Sequence, residues 1–197
     1  MASSVPAEAT SYDAPSLHVS LTPHLLSPTS VLDSIRSPHA GALVLFAGTT
    51  RSTFDSRPVT HLSYSAYIPL ALRTLRTIAE DIKQKHQLIA ISIEHRLGTV
   101  PIGEESILIA VSAAHRGEAW RAGEEALEAC KEKVEVWKLE VFEGDEGVWR
   151  ANRDGARGVR IDGERGGEEN AGEDMGKAQE REMEVANSKD VASSAVV

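Results

Sequence analysis

The sequence predicts a mixed α+β domain, with a largely antiparallel sheet, packed helices and a disordered C-terminal tail. Three observations carry this. Apolar residues alternate with period two in several short stretches, as in Leu17, Val19, Leu21 and again in Ile89, Ile91, Ile93. Elsewhere they recur at helical spacing, as in Leu75, Ile78, Ala79 and Ile82. After about Asn152 neither period persists, and Gly, Glu, Asp, Ser and Ala dominate.

Taken in order, residues 1–15 are small and polar without a period and are expected to form a loose tail. The domain itself is expected over 16–153, and an acidic, disordered tail over 154–197. Leu17 to Thr22 reads as a half-buried strand. Ser27-Pro28 reads as a helix N-cap followed by first-turn proline, with Val31, Leu32 and Ile35 as the apolar face and a stop near Ser37-Pro38. Gly41 to Gly48 is a continuous apolar run bounded by glycines, the pattern of a central strand, and it delivers Arg51 beyond its end. Ser52 to Pro58 reads as a polar loop and His61 to Tyr67 as a strand. Pro69 opens a helix that Gln87 and Leu88 lead out of. Ile89 to His95 is the next strand, 97–103 a turn-rich connection, and Ser106 to Ala114 a strand buried on both faces. A helix from about Gly117 to Lys133 follows. In the last strand Val134, Val136 and Lys138 share a face, with Trp137 and Leu139 on the other.

Composition narrows the function. With 41% hydrophobic residues in 197, one core is well supplied. The net charge of −9 argues against a nucleic-acid binder. A single cysteine, Cys130, excludes an internal disulfide or a cysteine-based metal cluster and fits a reducing cytosol. No apolar run approaches the roughly 18 residues that span a bilayer, and the N-terminus lacks the form of a secretory signal.

Local basic groups therefore stand out, above all in the stretch from Ser112 to Lys138. A strand ending in His115-Arg116 just as a helix begins is a ready anion site, because free N–H groups and the positive helix end point the same way. The following helix and strand carry Lys131 and Lys138, and all four residues are expected to frame one pocket. Singly, each has an ordinary reading. Lys131 would be a solvated charge at a helix C-terminus, Lys138 an edge-strand charge, His115 a structural histidine and Arg116 a surface cation. Cys130 falls on the apolar stripe of its helix, where a cysteine acts as a small hydrophobe.

Four pieces of the chain jointly resemble a known family: Gly41-Ala-Leu-Val-Leu-Phe-Ala-Gly-Thr-Thr-Arg51, His95-Arg-Leu-Gly98, Ser112-Ala-Ala-His-Arg116, and Cys130-Lys-Glu-Lys-Val-Glu-Val-Trp-Lys-Leu-Glu140. In this order and spacing they look like the large, catalytic subunit of molybdopterin synthase, in a fungal-like form. The resemblance covers roughly Leu17 to Asn152. It implies an α/β-hammerhead-like fold and a sulfurtransferase without metal or cofactor. The implied partners are a second copy, as the central dimer of a heterotetramer, and a small ubiquitin-like subunit. That subunit's C-terminal Gly-Gly thiocarboxylate would donate sulfur to cyclic pyranopterin monophosphate, in the molybdenum cofactor pathway.

Carried over by position, Lys131 matches the lysine most closely tied to catalysis, and Lys138 the second pocket lysine. Arg51, His115 and Arg116 match basic residues that hold the substrate phosphate and the incoming tail, some of them across the dimer. Phe46 matches an apolar residue beside the pocket. These residue types suit the chemistry. A lysine in a shielded site serves as acid, base or amine nucleophile, and arginine holds phosphate in bidentate fashion. His95 is read as packing or strand capping, and Trp149, Arg150 and Asn152 as the family's closing segment. The chain departs from the family pattern at Ser63, Ser65, Glu135 and the loop after Arg51. Two rival functions remain: an acyl transferase using Cys130 with His115, and a non-catalytic module binding a ubiquitin-like C-terminus or an anionic metabolite.

Overall fold

The computed structural model describes residue 6 and residues 8–144, 148–151 and 159–160. In chain order the elements begin β1 (Thr10–Ala14), β2 (Leu17–Thr22), α1 (Pro28–Ser34), β3 (Ala42–Thr49), β4 (Thr53–Phe54) and β5 (Arg57–Ala66). There follow α2 (Ile68–Lys85), β6 (Ala90–Arg96), β7 (Gly98–Pro101), β8 (Glu105–Ala113) and α3 (Arg116–Lys133). The last are β9 (Val136–Phe142), β10 (Val148–Ala151) and β11 (Val159–Arg160). The α+β class holds, but the strands divide between two sheets. One has the order β1-β2-β6-β8-β3; the other runs β11-β10-β9-β5-β4, with β7 also paired to β5. Every pairing is antiparallel except β2 with β6.

The period-two stretches bury as their pattern requires. Val19, Leu21, Ile91 and Ile93 are at most 1% exposed, and α2 lays Leu75, Ile78, Ala79 and Ile82 over them. The inward face of α3 is Ala119, Ala122, Gly123, Ala126 and Cys130, all small. Small residues let this helix lie close to the sheet: a Cβ on Gly123 would sit 3.3 Å from Val44 Cγ1. At α1, Ser27 Oγ accepts the Ser30 N–H at 3.2 Å, the N-cap bond expected there, worth about 1 kcal/mol.

Five details differ from the sequence reading. The expected loose tail ends earlier, because Thr10–Ala14 pairs with β2; Tyr12 packs on the core under the Arg76 guanidinium, 4.1 Å from the ring centroid. Helix α1 stops at Ser34, not near Ser37. The polar loop 52–58 contains a tight hairpin, β4 to β5, turned by Asp55 and Ser56 at φ 47 and 63. The connection 97–103 holds β7, which β5 captures as a neighbour. Within the expected tail 154–197, Val159–Arg160 pairs with β10; the rest of that tail, and residues 1–5, lie outside the described residues, as does Asn152. Glu135, one of the departures from the family pattern, accepts the Thr74 hydroxyl at 2.9 Å with its carboxylate and ties the approach to β9 to α2. Among the described residues no helix is long and apolar enough to cross a membrane.

Candidate functional site

A cavity of about 150 Å³ opens where the C-terminal end of α3 meets both sheets. Its floor is Phe46 and Gly48 of β3, Ile107 of β8 and His95 of β6, all from the first sheet. Leu127, Cys130 and Lys131 of α3 form one wall, and Tyr64 of β5 with Lys138 of β9 the other. Of the residues singled out from sequence, Phe46, His95, Cys130, Lys131 and Lys138 are therefore together.

Local structure explains how the two lysines converge. Lys131 lies in the last turn of α3, where the negative helix end favours a cation, and its Nζ is 3.5 Å from Glu128. Lys138 shares the inward face of β9 with buried Val136 and Glu140, as strand alternation demands. Its Nζ is 3.3 Å from the Glu140 carboxylate, which is only 2% exposed. The Phe54 ring, from the β4–β5 hairpin, lies 6.0 Å from the same ammonium.

His115, Arg116 and Arg51 are elsewhere. Arg116 opens α3 and Lys131 lies in its last turn, so about 22 Å of helix axis separates them within one chain. His115 is the N-cap residue beyond Arg116, and both are exposed. Arg51 is exposed just past the end of β3 and does not line the cavity, although Thr49 does. The expectation of four groups framing one pocket is thus corrected for a single chain. A helix of 18 residues holds its two ends apart, however close the residues are in sequence.

The sequence model of the MoaE protein family matches residues 21–133. A molybdopterin synthase catalytic subunit from Neurospora crassa is 63% identical over 158 residues, covering 80% of this chain and 77% of the relative. The chain belongs to the MoaE family. Membership makes it a molybdopterin synthase catalytic subunit, a sulfur-transferring enzyme of molybdenum cofactor biosynthesis. The crystal structure of molybdopterin synthase from Staphylococcus aureus superposes with a TM-score of 0.63 at 34% identity, covering 66% of this chain and 94% of that one. A complex of subunits 1 and 2 of the Helicobacter pylori molybdopterin-converting factor shares the fold, with TM-score 0.54 and 20% identity over 65% of this chain and 91% of that one.

In and beside the MoaE cavity stand residues whose part sequence reasoning did not give. Tyr64 is 5% exposed, and burial pushes its hydroxyl pKa up. It stands edge-on to His95, ring centroids 5.0 Å apart. Glu140 was within reach of the alternation that placed Val136 and Lys138, as the next inward position of the same strand. His95 was read as packing. It packs, but it also faces the cavity.

The Cys130 rival fails on two counts. About 22 Å of helix axis separates Cys130 from His115 of its own chain, far beyond hydrogen-bond reach. Burial also pushes the thiol up to about 12, so almost no thiolate exists at neutral pH. A neutral disulfide reagent is therefore expected to modify the native protein no faster than it unfolds, with the rate rising in step with urea. Rapid stoichiometric labelling of folded enzyme, with loss of activity, would reinstate the cysteine mechanism.

Proposed function

We propose that this cavity is where sulfur transfer takes place. The C-terminal Gly-Gly tail of a small ubiquitin-like subunit enters it as a thiocarboxylate, and the acceptor is cyclic pyranopterin monophosphate. The observation that carries the reading is the convergence of Lys131 and Lys138, from a helix end and a strand, on one partly enclosed cavity. In each transfer the thiocarboxylate sulfur attacks a substrate carbon, an oxygen leaves once protonated, and water then cleaves the acyl–sulfur bond, returning the tail as carboxylate and leaving the sulfur on the substrate as thiolate. Lys131 is the main catalytic group, as proton donor or transient amine, and Lys138 assists while Glu140 holds its position. The tail's slimness suits a cavity of about 150 Å³. The two-subunit complex of the Helicobacter pylori protein supports such a partner. We place the reaction in the cytosol.

Arg51, His115 and Arg116 hold the substrate phosphate and the incoming tail. Because α3 keeps Arg116 far from Lys131 of its own chain, His115 and Arg116 act in the site of the second copy of a dimer. Mixing tests this directly. Lys131→Ala and Arg116→Ala, each inactive alone, should recover about a quarter of wild-type turnover when subunits are exchanged, since half the dimers are then mixed and each holds one intact site. No recovery, despite exchange verified by mass, would mean that both residues serve the same chain's site.

The reading as a whole is tested by mixing the protein with thiocarboxylated small subunit and cyclic pyranopterin monophosphate. Molybdopterin is the expected product, and none should form when the tail ends in an ordinary carboxylate. A tight complex without product would leave only the binding module.

A further inference from the structure

The proposed chemistry leaves a buried histidine of the cavity unused. His95 is 2% exposed and forms part of the floor. Its Nδ1 lies 2.8 Å from the Arg96 carbonyl oxygen. A carbonyl only accepts, so Nδ1 carries the hydrogen and Nε2 is left as a bare acceptor. On an imidazole Nδ1 sits beside the Cβ attachment and Nε2 at the far tip. The tie to Arg96 therefore faces the strand, and the acceptor faces away from it. The Tyr64 ring, inclined at 72° to the imidazole, fixes its plane. Among the described residues no group donates to Nε2. Burial holds the ring neutral, its pKa lowered to about 4.

The cavity thus sets cationic donors against an imidazole acceptor, beside the hydroxyls of Thr49, Tyr64 and Ser106, which both donate and accept. Lys131 and Lys138 donate only, while His95 Nε2 can only receive. An occupant that fits presents oxygen to the lysines and an N–H to the floor, as an extended peptide backbone does. The floor also admits close approach, because position 48 is glycine: a Cβ there would meet Ile107 Cγ2 at 2.7 Å.

We propose that His95 is a substrate-positioning residue whose Nε2 accepts a hydrogen bond from a backbone amide N–H of the peptide tail that enters the cavity. This rests on the reading that the tail enters there. The bond fixes the tail's rotation about its own axis, and so aims the terminal sulfur.

The test uses three forms of the small subunit: native Gly-Gly, the same with the final amide nitrogen methylated, and one truncated by both glycines. Each is titrated calorimetrically into wild type, His95→Asn and His95→Gln, and KM and kcat are measured for the native and methylated thiocarboxylates. Methylation should weaken binding to wild type, and raise KM, by about tenfold, the scale of one hydrogen bond, with a smaller change in kcat. His95→Asn should bind both full-length tails equally, at the weakened level. His95→Gln should keep the discrimination, because the longer side chain carries an amide oxygen out to the tip. A purely structural role predicts the reverse, since asparagine can replace the Nδ1 donor to Arg96 and glutamine reaches past it. Equal affinity of wild type for native and methylated tails, while truncation still weakens binding, would overturn the His95 role alone. If truncation changes nothing, the tail does not enter and the reading beneath it falls.

Discussion

Lys131→Ala lowers single-turnover formation of molybdopterin by on the order of 10²–10⁴-fold, the range for removing a positioned acid–base group. Stability should hardly move. The Lys131 side chain is 30% exposed at a helix end, and its contact with Glu128 is an i,i+3 pair of the kind worth a few tenths of a kcal/mol. A urea midpoint close to wild type, with product formation nearly abolished, is therefore the expected combination. Lys138→Ala provides the contrast. It removes the cation 3.3 Å from a carboxylate that is 2% exposed, so a loss of stability should accompany the loss of rate. Wild-type product formation by folded Lys131→Ala would remove the residue from the chemistry and with it the main reason for placing the reaction at this cavity.

The second large effect is on stability in mild acid, and His95 causes it. Buried against Tyr64, its imidazole has a pKa lowered to about 4, against 6.5 in the open. Desolvation of the charged form is the dominant cause, partly opposed by the bond to the Arg96 carbonyl. Between these two values the unfolded chain binds a proton that the folded chain refuses, so stability falls as pH drops from about 6.5 towards about 4. The loss amounts to about 2 kcal/mol at pH 5 and about 3 kcal/mol once the pH is below the folded value. Asp13 and Glu125 are held below the usual carboxylate range, by hydrogen bonds to His18 and to Lys85 respectively, and add to the loss only in stronger acid. Urea unfolding at pH 7 and pH 5 isolates the histidine: wild type should lose about 2 kcal/mol more than His95→Gln over that interval. Equal losses in the two proteins would mean that His95 protonates in the folded state at its ordinary pKa.

Both effects turn on residues of which the sequence revealed different amounts. Lys131 and Lys138 were visible through the resemblance, and the strand period even fixed which face of β9 Lys138 occupies. His95 was placed correctly on its strand, yet nothing local distinguishes a histidine that packs from one that packs and faces a cavity. That distinction needs Tyr64, which is 31 residues earlier and in the other sheet. Glu140 could have been found from alternation alone, because it follows Lys138 by two on one strand.

By itself the sequence determined the three helices, the six longest strands, their order and the family. Period-two and helical spacings are local properties, imposed by which face of each segment must be dry, and they survive whatever the rest of the chain does. It also determined that Cys130 is a core residue, since its place on the apolar stripe of α3 is a matter of spacing. Only the tertiary structure decided which groups share a site. Pairing across large separations splits the strands into two sheets, captures β1 and β7 from stretches read as tail and connection, and closes a cavity between sheet and helix end. The same structure keeps Arg116 and Lys131 apart. A helix rises about 1.5 Å per residue, so sequence neighbours at its two ends become spatial strangers, while a lysine on another strand becomes the partner.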